Sequence, residues 1–98
     1  MRRIEPTTQF KRDYKREAKG QHRATLDPDA LDAEMKPVLE ALVNDLPLAP
    51  RHHDHALSGD WKDHRDCHIK PDLLLIYRKP DAVRLQLVRL GSHAELSL

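Results

Sequence analysis

Apolar residues follow two rhythms along this chain, a helical one in the first half and an alternating one in the second. From Thr7 to Lys19 they recur every four residues, at Phe10, Tyr14 and Ala18, the narrow stripe of an amphipathic helix. Thr7 or Thr8 can cap its start and Gly20 can stop it. A second helix opens at Asp27-Pro28 or Asp29, and Leu31, Met35, Val38, Leu39, Leu42, Val43 and Leu46 form its apolar face. Pro37 falls inside that pattern and removes one backbone hydrogen bond, which predicts a kink or a main helix that starts near it. Residues 2–5 suit a short edge strand.

Residues 51–60 are polar and read as a loop, with a turn at Ser58-Gly59-Asp60. Three strands are predicted after it. Arg65 to Lys70 alternates, with Cys67 and Ile69 on one face and Asp66, His68 and Lys70 on the other. Pro71-Asp72 is a turn. Leu73 to Arg78 is an apolar run, as in a central strand covered on both faces. Lys79-Pro80-Asp81 turns the chain into Val83, Leu85 and Leu87, which alternate with Arg84 and Gln86. That alternation slips at Val88-Arg89-Leu90, the mark of a bulge or of a strand leaving the sheet. Ser92 and Glu95 have the spacing of a capping box for a short final helical turn. The order β-α-α-β-β-β, plus that turn, predicts an α+β fold in which two N-terminal helices pack on one face of a small antiparallel sheet. The other sheet face, with His68 and Lys70, is left toward solvent or a ligand. At 98 residues, a single domain spanning 1–98 is expected.

Composition narrows the function classes. One cysteine, Cys67, excludes an internal disulfide framework and suggests a reducing compartment; Cys67 itself is expected in the core and Trp61 as a packing anchor. The first residues lack the apolar run of a secretory signal, and no run is long enough to span a membrane, so a cytoplasmic protein without membrane contact is expected. Net charge is +1, but residues 1–23 carry eight Lys/Arg against three Asp/Glu, and residues 24–50 one against six. The basic face of the first helix, with Lys11, Arg12, Lys15, Arg16 and Lys19, can meet nucleic-acid phosphates or simply be solvated.

Six of the seven histidines follow residue 51: His52, His53, His55, His64, His68 and His93. Histidine titrates near neutrality, so the concentration points to acid–base, metal or phosphate chemistry. The spacing fits no standard structural zinc pattern, and neither a metal nor another cofactor is expected. His52, His53 and His64 are read as solvent-exposed.

The run from Asp54 to Tyr77 carries Asp54, His55, Leu57, Gly59, Trp61, Arg65, Asp66, His68, Pro71, Asp72, Leu75, Ile76 and Tyr77 in one fixed spacing, followed by Arg89, Gly91 and His93. This closely resembles the YafQ branch of the RelE/ParE toxin superfamily, strongly over the last 45 or so residues and loosely over the helical half. The resemblance implies a toxin of a type II toxin–antitoxin system that enters the ribosomal A site and cuts mRNA there as an endoribonuclease, inhibiting translation. It implies His55, His68, Asp72 and His93 as catalytic positions and Arg89 as a contact to the scissile phosphate. Lys70, Lys11, Lys15 and Arg16 are further candidates for RNA or phosphate. The implied partners are the ribosome, mRNA and a cognate antitoxin with a ribbon-helix-helix DNA-binding half. Operator DNA is then met only through the antitoxin. Alone the toxin is expected to be a monomer, and with antitoxin a heterotetramer.

One position departs from the family. Ser97 stands where an aromatic residue is usual, leaving Tyr77 and Trp61 as the aromatics available to a base. That departure favours, as one alternative, a weakened toxin that mainly binds its antitoxin. A second alternative is a ParE-like toxin directed at DNA gyrase, since the same fold hosts both activities.

Overall fold

The computed structural model describes residues 1–19 and 28–98; Gly20 and Asp27, the expected end of the first helix and opening of the second, lie outside them. The elements are β1 (Arg3–Pro6), α1 (Thr8–Lys19), α2 (Pro28–Val43), β2 (His55–Ala56), β3 (Arg65–Lys70), β4 (Leu73–Arg78), β5 (Arg84–Gly91) and α3 (His93–Leu96), with 3-10 turns at Pro50–His52 and Gly59–Trp61. Among them no helix is long and apolar enough to cross a membrane.

The Thr7 hydroxyl accepts from the Phe10 amide and starts α1. The buried face of α1 is wider than its apolar stripe: Asp13 and Glu17 are buried beside Phe10 and Ala18. Helix α2 runs unbroken through Pro37 and buries Leu31, Met35, Val38, Leu42 and Val43. It stops one turn before Leu46. Asp45 takes the left-handed conformation (φ 55°), and the amides of Asp45 and Leu46 donate back to the carbonyls of Leu42 and Ala41, a Schellman closure. Leu46, expected on the apolar face, is therefore left exposed.

The five strands lie in the order β1-β5-β4-β3-β2. β5, β4, β3 and β2 are antiparallel neighbours, but β1 runs parallel to β5, pairing Arg3 with Arg84 through Pro6 with Leu87. The sheet is thus mixed, because β1 and β5 run the same way while β4, β3 and β2 alternate in direction beside them. The central strand β4 is buried on both faces, as its composition demands. Leu73, Leu75 and Tyr77 join the main core under the helices, while Leu74 and Ile76 join a second cluster with Leu96, Leu57, Trp61 and Val88. The sheet face that carries His68 therefore has a small apolar core of its own.

The slip in β5 is a bulge. Tyr77 pairs with Leu87 and Ile76 with Arg89, leaving Val88 unmatched. The extra residue sends Val88 to the second cluster and returns Leu90 to the main core.

Candidate active site

Two neighbouring rungs of the sheet gather most of the titratable side chains on the second face. In one rung His55 of β2 pairs with Asp66, and Asp66 with Ile76 of β4. In the next, His68 pairs with Leu74, and Leu74 with Gly91 at the end of β5. Ser92 then caps α3: its hydroxyl accepts from the Glu95 amide and the Glu95 carboxylate accepts from the Ser92 amide. His93 is the first residue of that helix, so the box fixes where its ring emerges.

The ring of His93 lies edge-on to that of His68, 5.4 Å between centres, and the ring of His53 lies 5.0 Å from His68 on another side. Asp72, from the two-residue turn between β3 and β4, meets His93 twice. Its Oδ1 is 2.7 Å from Nδ1 and accepts from the His93 amide at 3.1 Å. These two contacts hold the Asp72 carboxyl below its usual pKa, so Asp72 is ionised near neutrality and can only accept. The Nδ1 of His93 therefore carries a proton, and Nε2 is the atom free to exchange one.

His55 is exposed, and its Nδ1 lies 2.7 Å from the carbonyl of His53. The same nitrogen is 3.3 Å from Oδ1 of Asp66, which is buried without a hydrogen-bond partner. Burial raises the Asp66 pKa, against the opposing pull of His55, His68 and His93. Burial also pushes His68 below its usual pKa, and His53, His93 and His55 add to that effect while Asp66 opposes it. His68 is thus neutral near pH 7.

The basic candidates divide into two groups. Arg89 is given over to the fully buried Asp13, with Nε 2.7 Å from Oδ2. Arg16 meets Asp13 (3.1 Å), Glu17 (3.1 Å) and Glu95 (3.2 Å) and donates to the Leu90 carbonyl at 2.9 Å. Both arginines tie α1 to β5 and α3. Lys11 and Lys15 are exposed on α1 and border the apolar groove between the two long helices. Lys70 is half-buried and lines a different groove, beside His53 and His68.

A family model described as the bacterial toxin of a type II toxin–antitoxin system, YafQ, matches residues 2–98. The chain belongs to the YafQ toxin family. It is 42% identical over 64 residues to the mRNA interferase toxin YafQ of Escherichia coli K12, covering 64% of this chain and 68% of that one. The aligned stretches span between 62% and 68% of the length of such curated YafQ relatives. Among solved structures, the E. coli DinJ-YafQ complex superposes with a TM-score of 0.76 at 35% identity, covering 98% of each chain. A metal-bound toxin from Helicobacter pylori superposes with a TM-score of 0.80 at 41% identity, covering 98% of this chain and 99% of that one. Among the described residues of this YafQ chain, no group of three or more His, Cys, Asp or Glu side chains is arranged to hold a metal ion.

Three residues escaped the sequence reading. His52, expected in solvent, is buried. The Pro50–His52 turn tucks it under β3, where its Nδ1 is 2.7 Å from the His68 carbonyl. His53, also read as a solvated histidine, is exposed but belongs to the histidine cluster. Asp66 had only a strand position to mark it, and it is buried beside His55 of the two-residue strand β2. His64, the third histidine expected in solvent, is half-buried edge-on to Trp61. Tyr77 is buried in the helix-side core, where its hydroxyl donates to Asp54; its ring is out of reach of a base.

Proposed function

We propose that this YafQ-family chain is a ribosome-dependent endoribonuclease that cuts mRNA in the ribosomal A site, works in the cytoplasm, needs no metal, and is held inactive by a cognate antitoxin. The observation that carries the reading is the Asp72–His93–His68 constellation: one histidine oriented by a carboxylate, and a second kept neutral one ring away. The names of the relatives support the substrate class, and the DinJ-YafQ complex supports the antitoxin partner.

RNA carries its own nucleophile. Attack of the 2′-OH on the adjacent phosphorus forms a P–O bond and a 2′,3′-cyclic phosphate, and it breaks the bond to the 5′-oxygen. His68, neutral at working pH, takes the 2′-OH proton, with His55 beside it as a second proton acceptor. His93, protonated, delivers its Nε2 proton to the departing 5′-oxygen, and Asp72 keeps the ring aimed and in the required tautomer. Each proton transfer contributes roughly 10²–10⁴-fold in rate. Lys70 supplies positive charge to the phosphate region, and Lys11 and Lys15 supply contacts to ribosomal RNA.

Primer extension on a defined mRNA, with toxin added to ribosomes stalled at known codons, tests this. Cuts at the A-site codon that require ribosomes and vanish with His93→Ala are expected. Intact mRNA with the wild-type chain sinks the reading. The second reading, a weakened toxin, is favoured by Ser97 alone: it is exposed, and it closes α3 in a left-handed conformation at φ 58° where the family carries an aromatic residue.

A further inference from the structure

The histidine cluster does not end at His68. On the side away from His93, the Pro50–His52 turn, the end of β3 and helix α2 enclose a groove of about 790 Å³. His68 and His53 stand at its cluster end, Arg51 and Lys70 line it, and Glu34 and Pro37 of α2 line it as well. His53 is placed there by the backbone. It takes the left-handed conformation (φ 46°), its amide donates to the Pro50 carbonyl, and the turn is anchored from beneath by buried His52. A non-glycine residue in that conformation is uncommon, and such positions cluster where a side chain must be aimed.

We propose that this groove is an RNA subsite that holds the nucleotide next to the cleaved phosphodiester, with His53 as the residue its base stacks on. The inference rests on the nuclease reading for the location of the cut, and extends it to a binding position the catalytic histidines do not occupy. Charge sets the orientation. Arg51 and Lys70 attract the flanking phosphate, whereas the Glu34 carboxylate repels it. The RNA backbone therefore runs along the Arg51 and Lys70 side, and the base faces α2. The His53 ring, 5.0 Å from His68, continues the line of aromatic surface from the reacting centre into the groove. A single-stranded nucleotide is the occupant that suits such a pairing of an aromatic ring with two cations.

His53→Gly removes the ring while suiting the left-handed backbone, so the fold is preserved. On stalled ribosomes it should lower kcat/KM roughly ten-fold, as expected from loss of one base stack, and flatten the base preference at one position beside the cut. His53→Phe should retain most of the activity. Arg51→Ala should weaken binding and reduce its salt dependence, whereas Lys36→Ala, on α2 but off the groove, should do neither. Wild-type kcat/KM and unchanged base preference in His53→Gly would overturn the subsite. Binding of a fluorescent 2′-O-methyl tetraribonucleotide to the free toxin separates this result from failure of the nuclease reading, because that probe cannot be cut. If the wild-type chain cleaves nothing, weaker probe binding by His53→Gly still supports the subsite, and equal binding overturns it.

Discussion

Asp13 and Asp66 are the two aspartates buried among the described residues, at 0% and 2% exposure, and the sheet separates them into opposite tasks. Asp13, on the helix side, is saturated. It accepts from Arg89, Arg16, Gln9 and the Leu90 amide. Burial alone would raise its pKa, but the hydrogen bonds from Arg89, Leu90 and Gln9 outweigh burial and hold it below the usual range. Asp66, on the cluster side, is left with an Oδ1 that no donor reaches in hydrogen-bonding geometry, among histidines that can each gain or lose charge. Its pKa moves the other way. A buried carboxylate surrounded by permanent cations is a fastener. One surrounded by titratable rings responds to their protonation, which is what a proton-transfer site requires.

The largest expected effect is on stability. Asp13→Ala strands Arg89 and the Leu90 amide and should cost about 3 kcal/mol, the low end for a broken buried pair because Arg89 keeps some solvent. Asp66→Asn should stay within about 1 kcal/mol of wild type yet lower cleavage activity. Urea unfolding of both variants breaks the comparison if the two losses are equal. The pH dependence of stability comes next, and the two signs differ. Asp13, with a depressed folded pKa, stabilises the fold above its unfolded value near 3.8, and that contribution disappears as pH falls through the folded value. Asp66, with a raised folded pKa, costs stability as pH rises from 3.8 through that raised value. Asp66→Asn should therefore gain on wild type as pH rises over that range. A constant difference in melting temperature would show that Asp66 carries no such shift.

A smaller effect sharpens the role of Asp66 in chemistry. Its charge opposes the downward shift of His68, so the acid limb of the pH–rate profile should move to lower pH in Asp66→Asn. An unmoved limb would mean that His68 is not the base or that Asp66 is neutral beside it. The smallest effect expected is from Ser97→Phe, which should raise cleavage by up to roughly ten-fold if a missing base stack limits the chain. No rise in primer-extension signal would remove the case for a weakened toxin.

What could be read along the chain was whatever a local pattern encodes. The apolar run of β4, the slip at Val88 and the capping box of Ser92 and Glu95 all appear where their residues indicate. The family's spacing led to His55, His68, Asp72 and His93, which the fold brings to one side of the sheet. What escaped depends on partners distant in sequence. A two-residue strand such as β2 has no period, and the direction of β1 is set only when β5 arrives. A histidine in a polar loop gives no sign that it lies under a strand, as His52 does, or against a ring, as His53 does. The family's spacing marked Arg89 and the basic face of α1 marked Arg16, but no local pattern shows that both meet buried Asp13.

The pairing of β1 with β5 also bears on the history of each molecule. Arg3 finds its neighbour only once Arg84 has been made, so the first strand waits, unpaired, until β5 follows. Pairings this distant in sequence slow folding, and until this one forms β5 lacks its outer neighbour. His93 lies beyond β5 in the chain, so the constellation with Asp72 and His68 cannot form before β5 has been made. Whatever the cluster does to RNA, a growing chain that has not yet passed β5 cannot do it to the ribosome that is making it.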